Sequence, residues 1–129
     1  MAFVLDTSAV LALLFKEAGH DLVHDALLEG AAISAVNLAE VVTRLVRDGM
    51  SGDQAATAIS SLPLDYYQLS EELAVQTGAL HAETRRFGLS LGDRACLALA
   101  RQEQMVALTG DRIWLEAGPA IGVEVRLIR

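Results

Sequence analysis

Apolar and polar positions fall along this chain in blocks that predict strands and helices in turn. Phe3-Val4-Leu5 is a short apolar run closed by Asp6-Thr7-Ser8, residues that cap helices, and Ala9 to Phe15 follows at helical length. The spacing of Leu22, Val23, Ala26 and Leu27 predicts a helix over Asp21 to Leu28, ended by Gly30, and Ala31-Ala32-Ile33 fits a second strand. Ser34 then caps a helix whose Leu38, Val41, Val42, Leu45 and Val46 share one face, with Gly49 past its end. Ser51 to Ser61 predicts a short helix stopped before Pro63, and Leu64 to Leu69 a strand carrying two tyrosines. Ser70 opens a longer helix to about Arg86, ended by Gly88, and Ser90 opens the next, from Leu91 to about Gln102. Met105 to Leu108 reads as a strand, Thr109-Gly110-Asp111 as a turn, and Val123 to Ile128 as a last strand.

Strands that alternate with helices imply an α/β fold, a parallel sheet covered on both faces. A length of 129 residues fits one domain, 1–129, and the chain shows no internal repeat, low-complexity tract or linker. In such sheets ligands sit beyond the carboxyl ends of the strands, where the strand order reverses. That rule points to Asp6 and Asp111, each placed just after a predicted strand.

Composition adds three constraints. Hydrophobic residues make up 53% of the chain and mean hydropathy is +0.37, so a partner or a second copy is expected to cover part of the surface. The run Ala9 to Phe15 is far short of the roughly 20 residues a bilayer requires. Asp6 and Lys16 bracket it and no Lys or Arg precedes it, so neither a membrane span nor a signal peptide is expected and a cytoplasmic protein is. The lone Cys96 excludes an intrachain disulfide and a cysteine metal cage, and its neighbours Ala95, Leu97, Ala98 and Leu99 mark it as buried. A net charge of −7 opposes phosphate binding unless cations occupy a carboxylate cluster, and it suits a basic protein partner.

Each candidate carboxylate has an ordinary explanation when taken alone. Asp6, in VLDTSA, fits a helix cap, although Thr7 and Ser8 can cap as well. Glu40, in SAVNLAEVV, falls off the apolar stripe and fits a surface pair with Arg44. Asp93, in SLGDRACLALA, fits a capping box or a favourable dipole interaction of about 0.3–1 kcal/mol, and Arg94 beside it reads as solvated. Asp111, in ALTGDRIW, fits a turn. Together, two strand-end acids and two on helices can converge above one end of a parallel sheet. Carboxylates so gathered repel unless cations lie between them, and hard Mg2+ takes oxygen ligands while keeping waters open toward a phosphate. His20 and His24 share a helical face and read as surface residues, and Trp114 as a core or interface anchor.

Four segments in order, VLDTSAVLALL, ISAVNLAEVV, LSLGDRACLALA and LTGDRIW, make the chain resemble the PIN-domain ribonucleases, in particular the VapC-type toxins of bacterial toxin–antitoxin pairs. The resemblance covers nearly the whole chain. It implies a three-layer α/β/α sandwich with a central, mainly parallel sheet, and a Mg2+-dependent endoribonuclease (Mn2+ a substitute) that cuts RNA phosphodiester bonds through metal-activated water. It makes Asp6, Glu40, Asp93 and Asp111 the metal-binding and catalytic acids, with Thr7, Ser8 and Thr109 orienting a carboxylate, water or phosphate. It also implies a homodimer silenced by a cognate antitoxin that reaches into the acidic site, often with an Arg. A fifth acid found in some relatives is not evident, which bears on a second metal position. Two other readings share these residues: a catalytically silent PIN-like interaction module, and a metal-dependent DNA nuclease. A phosphoacceptor receiver domain does not fit, since it needs paired acids after the first strand and a Lys after the last, and the only Lys is Lys16.

Overall fold

A computed structural model describes residues 2–129; Met1, the first residue of the expected 1–129 domain, lies outside the described residues. The elements follow the predicted order: β1 (Phe3–Leu5), α1 (Thr7–Phe15), α2 (His20–Glu29), β2 (Ala31–Ser34), α3 (Ala35–Arg47), α4 (Gly52–Ser60), β3 (Leu64–Tyr67) and α5 (Glu71–Thr84), which tightens into a 3-10 turn over Arg85–Phe87. Then come α6 (Leu91–Glu103), β4 (Val106–Thr109), α7 (Trp114–Ala120) and β5 (Val125–Leu127). β1 falls where the sequence pattern puts it, β2 gains one residue, β4 shifts by one, and the outer strands β3 and β5, with exposed residues in their runs, shift most.

The five strands form one parallel sheet in the order β3-β2-β1-β4-β5. The chain leaves β1 toward β2 on one side and returns to β1's other side as β4, so the order reverses between β1 and β4. Successive strand residues face opposite sides. Phe3, Leu5, Ile33, Val106 and Leu108 pack with buried residues of α1, α2, α3 and α4, whereas Val4 and Ala107 pack with α5, α6 and Trp114 of α7. Two helical layers therefore sandwich the sheet, and the architecture is three-layer α/β/α, with every strand parallel.

The serine caps expected at Ser34, Ser70 and Ser90 hold, and Ser51 adds one the sequence reading did not name. Ser34, Ser51, Ser70 and Ser90 each accept a backbone N–H in the first turn of the following helix. The apolar stripe of α3 is narrower than its sequence implies: Val41 and Leu45 are buried, Leu38 and Val42 are partly buried against the same core, and Val46 is exposed. Cys96 and Trp114 are fully buried in the core. His20 and His24 lie on the surface, each beside its neighbouring aspartate. Among the described residues no helix is long and apolar enough to cross a membrane.

Candidate active site at the carboxyl edge of the sheet

Asp6 leaves β1 in extended backbone (φ −82°, ψ 177°) and is the N-cap of α1, although Thr7 and Ser8 follow it. Its Oδ1 accepts from the Ala9 N–H at 2.8 Å and the Ser8 hydroxyl at 2.7 Å. Its Oδ2 accepts from the Thr109 hydroxyl at 2.6 Å. Both hydroxyls also reach β4's exit: the Gly110 N–H donates to Ser8 Oγ at 2.9 Å, and the Asp111 N–H to Thr109 Oγ1 at 3.0 Å. Asp6 is only 5% exposed. Burial pushes its carboxyl up to about 6, against the opposing pull of those three hydrogen bonds, and the charge of Asp93 adds to the rise.

Glu40 is not the surface partner of Arg44. Arg44 pairs instead with Asp48 at 3.2 Å and lies over the Phe15 ring. Glu40 Oε1 accepts from the Thr7 hydroxyl at 2.5 Å and from the Asn37 amide at 3.0 Å. Its carboxylate rests on the first turn of α6, where a Cβ added to Gly92 would sit 2.4 Å from either oxygen. α6 runs opposite to β4, which brings its N-terminal turn to the same edge of the sheet as Asp6.

Asp93 fulfils its expected capping role within that turn. Its Oδ2 accepts the Ser90 N–H at 2.9 Å while its own N–H donates to Ser90 Oγ at 3.2 Å. Burial raises its carboxyl above the ordinary range, the Ser90 hydrogen bonds oppose the rise, and the charges of Asp111 and Glu40 add to it. Asp111 is exposed, and its Oδ1 accepts the Ile113 N–H at 3.1 Å, the turn contact its position predicts. Arg94 is not solvated: its guanidinium donates to the carbonyls of Thr77 (3.2 Å) and Gly78 (3.4 Å), pinning α6 to α5.

The four acids thus share one electrostatic neighbourhood. Asp6 senses Asp93, and Asp93 senses Asp111 and Glu40. Cys96, buried beneath them, has its thiol held well above the ordinary range by burial and then by Asp6, Asp93 and Glu40. Among the described residues no three Asp, Glu, His or Cys side chains form a ready metal-holding group. The donor chemistry nevertheless fits a hard divalent cation, being all oxygen, mutually repelling, and relieved by positive charge. The Gly92 cradle that admits the Glu40 carboxylate to the first turn of α6 agrees with that fit. Cations of the protein's own stand at the rim. Arg44 and Arg47 line a cleft of about 390 Å³ beside Glu40, and the Arg129 guanidinium lies 2.9 Å from where a Gly110 Cβ would be.

Three contributors escape a reading of the sequence. Asn37, Ser34 and Gly92 carry no signature of their own, since an amide on a helix, a cap and a small residue are each common. The one available signal was the spacing of Asn37, one helical turn before Glu40, which puts both side chains on the same face.

A family model described as PIN domain matches residues 3–118. No curated protein matches the chain. Solved structures share its fold at low identity. VapBC2 from Rickettsia felis, bound to a promoter DNA fragment, is 17% identical with TM-score 0.74, covering 98% of each chain. A toxin–antitoxin complex from Klebsiella pneumoniae is 21% identical with TM-score 0.70, covering 100% of this chain and 98% of that one. VapC20 of Mycobacterium tuberculosis, a toxin that cleaves the sarcin–ricin loop, is 20% identical with TM-score 0.67, covering 82% of this chain and 87% of that one.

Proposed function

The chain belongs to the PIN-domain family, and from that premise we propose that it is a divalent-cation-dependent endoribonuclease, the toxin of a toxin–antitoxin pair. The observation that carries this reading is the charge coupling among the four acids: Asp93 raises the carboxyl of Asp6, and Asp111 and Glu40 raise that of Asp93. Buried, mutually repelling carboxylates are costly to a fold unless a ligand compensates them. Asp6, Glu40, Asp93 and Asp111 would hold Mg2+ or Mn2+, and the bound cation would supply Lewis acidity toward water and a phosphodiester. The chain's own residues do the rest. Thr109 and Ser8 fix both oxygens of Asp6, Thr7 and Asn37 fix one oxygen of Glu40, and the Ser90 N–H fixes one oxygen of Asp93. At the rim Arg47, with Arg44 beside Asp48 and Arg129 beside Glu17, offers positive charge to a polyanion.

An antitoxin partner is supported by the toxin–antitoxin complex among the structures of like fold and by the net charge of −7, which suits a basic segment reaching the site. Exposed apolar residues such as Leu28, Val75 and Leu91 leave apolar surface for a second copy to cover, so a homodimer is part of this reading, as is action in the cytoplasm.

The test uses purified protein with labelled single-stranded RNA and DNA of one sequence. Cleavage of RNA in Mg2+ or Mn2+, its loss in EDTA and its loss in Asp6→Asn are expected. Cleavage that persists in EDTA overturns cation dependence, and cleavage of DNA alone makes the protein a DNA nuclease. Intact substrates under every condition leave the silent interaction module as the reading.

A further inference from the structure

The four proposed acids are not held alike. Asp93 and Asp111 each accept a backbone N–H in a local turn, and Asp6 is fixed at both oxygens. Glu40 lies one turn and more into a helix, on a long side chain with three rotatable bonds, where no backbone N–H is free to meet it. Something else must hold its carboxylate. From this geometry we infer that Asn37 is a positioning residue, whose amide holds Glu40 by Oε1 and presents Oε2 to the cation; the inference rests on the proposed function.

Asn37 is 1% exposed, and its orientation is fixed rather than free. The Ser34 hydroxyl donates to Asn37 Oδ1 at 2.6 Å and accepts the Asn37 N–H at 3.1 Å. With Oδ1 engaged there, Nδ2 must face the opposite way. It donates to Glu40 Oε1 at 3.0 Å and to the Gly92 carbonyl at 3.1 Å, with Thr7 Oγ1 a longer contact at 3.3 Å. One amide therefore ties the end of β2, the start of α1, the middle of α3 and the first turn of α6. Those are the elements that carry or border Asp6, Glu40 and Asp93.

Both donors to Glu40, Thr7 and Asn37, converge on the same oxygen. Among the described residues no donor reaches Oε2. A carboxylate anchored by one oxygen has lost most of its rotational freedom while the other keeps its lone pairs, the arrangement that outer-shell partners give to metal-binding carboxylates. Gly92 completes it from below, since a Cβ there would displace both oxygens.

A double-mutant cycle on the full chain tests this, read as Mn2+ binding by calorimetry rather than as activity. Asn37→Ala and Gly92→Ala are each expected to weaken Mn2+ binding roughly ten- to a hundredfold, the size typical of an outer-shell loss. The helical circular-dichroism spectrum and the melting temperature in EDTA serve as the fold control. In a Glu40→Ala background Asn37→Ala is expected to have no further effect, because it acts through the carboxylate. Should Asn37→Ala not fold, Asn37→Thr, which keeps a shorter hydroxyl, enters the same cycle. An Asn37 substitution that weakens Mn2+ binding equally with and without Glu40 overturns the inference, as does one that leaves binding unchanged while the wild type binds. Wild-type protein that takes up no Mn2+ overturns the proposed function and this inference with it.

Discussion

Thr109 donates its hydroxyl to Asp6 at 2.6 Å across a sequence separation of 103 residues, joining the exits of two neighbouring parallel strands. That oxygen also accepts the Asp111 N–H, so one side chain aligns the first and last of the proposed acids. Thr109→Val keeps the shape and removes both contacts. The Asp111 N–H is left without its partner, and the expected loss is about 1–3 kcal/mol of stability. Asp6 also loses a hydrogen bond that favours its charged form, so its carboxyl should rise further and cation binding at neutral pH should weaken. Thr109→Ser, which restores the hydroxyl, should recover most of both effects in urea titrations and Mn2+ calorimetry.

The buried Asp6 makes stability depend on pH in the less common direction. Its carboxyl titrates at about 6 in the folded chain against an ordinary 3.8. Between those values the folded state holds the proton more tightly than the unfolded state, so stability from this group is present on the acid side and is lost as pH rises through about 6. The charged form then destabilises cation-free protein on the order of 3 kcal/mol at pH 7. Asp6→Asn in EDTA should therefore be more stable than wild type at pH 7.5, with the gap closing toward pH 4. The Asn amide can donate to Thr109 Oγ1, which has a second lone pair for it. Saturating Mn2+ should stabilise wild type but not the variant. An Asp6→Asn protein less stable than wild type at both pH values contradicts the buried-charge account.

The layered fold was legible because its signals are local. Serine caps, glycine stops and short apolar runs mark most elements, and the parallel sheet follows from their alternation; α7, which has no side-chain cap, carried no such mark. The four proposed acids stand out as a set only through their order and flanking residues. What the sequence hid was the manner of their holding. Arg44 stands four residues after Glu40, in the favourable order for a pair, yet it takes Asp48, four residues on in the other direction, and lies over Phe15, while Glu40 meets Thr7, thirty-three residues earlier. Arg94 reads as a surface residue beside Asp93 but lies against the carbonyls of α5. Glu40 and Arg94 each meet a residue of another helix, and periodicity along a single helix carries no information about its neighbour; for Arg44 the helix offers two i,i+4 acids, and spacing alone does not choose between them.

Glu40→Gln separates charge from hydrogen bonding. The Gln oxygen can still accept from Thr7 and Asn37, so the stability change should stay within about 1 kcal/mol. RNA cleavage should fall about a hundredfold or more, the scale of losing one preorganised electrostatic contribution. Wild-type turnover in this variant assigns Glu40 to structure alone.

Asp93 carries two roles that a pair of substitutions can split. Its carboxylate caps α6 through the Ser90 N–H, and its charge contributes to the acidic neighbourhood. Ser90→Ala removes the hydroxyl that accepts the Asp93 N–H but leaves the backbone N–H of residue 90 on Asp93 Oδ2. It should cost about 0.5–2 kcal/mol, as lost N-caps do, while cleavage at saturating cation stays within severalfold of wild type. Asp93→Asn keeps an oxygen for that N–H, so the cap survives. It also removes a charge that burial, Asp111 and Glu40 all disfavour. Against this stand the weaker Ser90 hydrogen bonds to a neutral oxygen, which the net rise of the Asp93 carboxyl already outweighs, and the lost attraction to the α6 dipole, about 0.3–1 kcal/mol. In EDTA the Asn variant should therefore be at least as stable as wild type, yet its RNA cleavage should drop about a hundredfold or more. The two variants thus move in opposite directions, one less stable and active, the other stable and inactive. Full cleavage by Asp93→Asn would leave Asp93 with its cap alone and remove it from the chemistry.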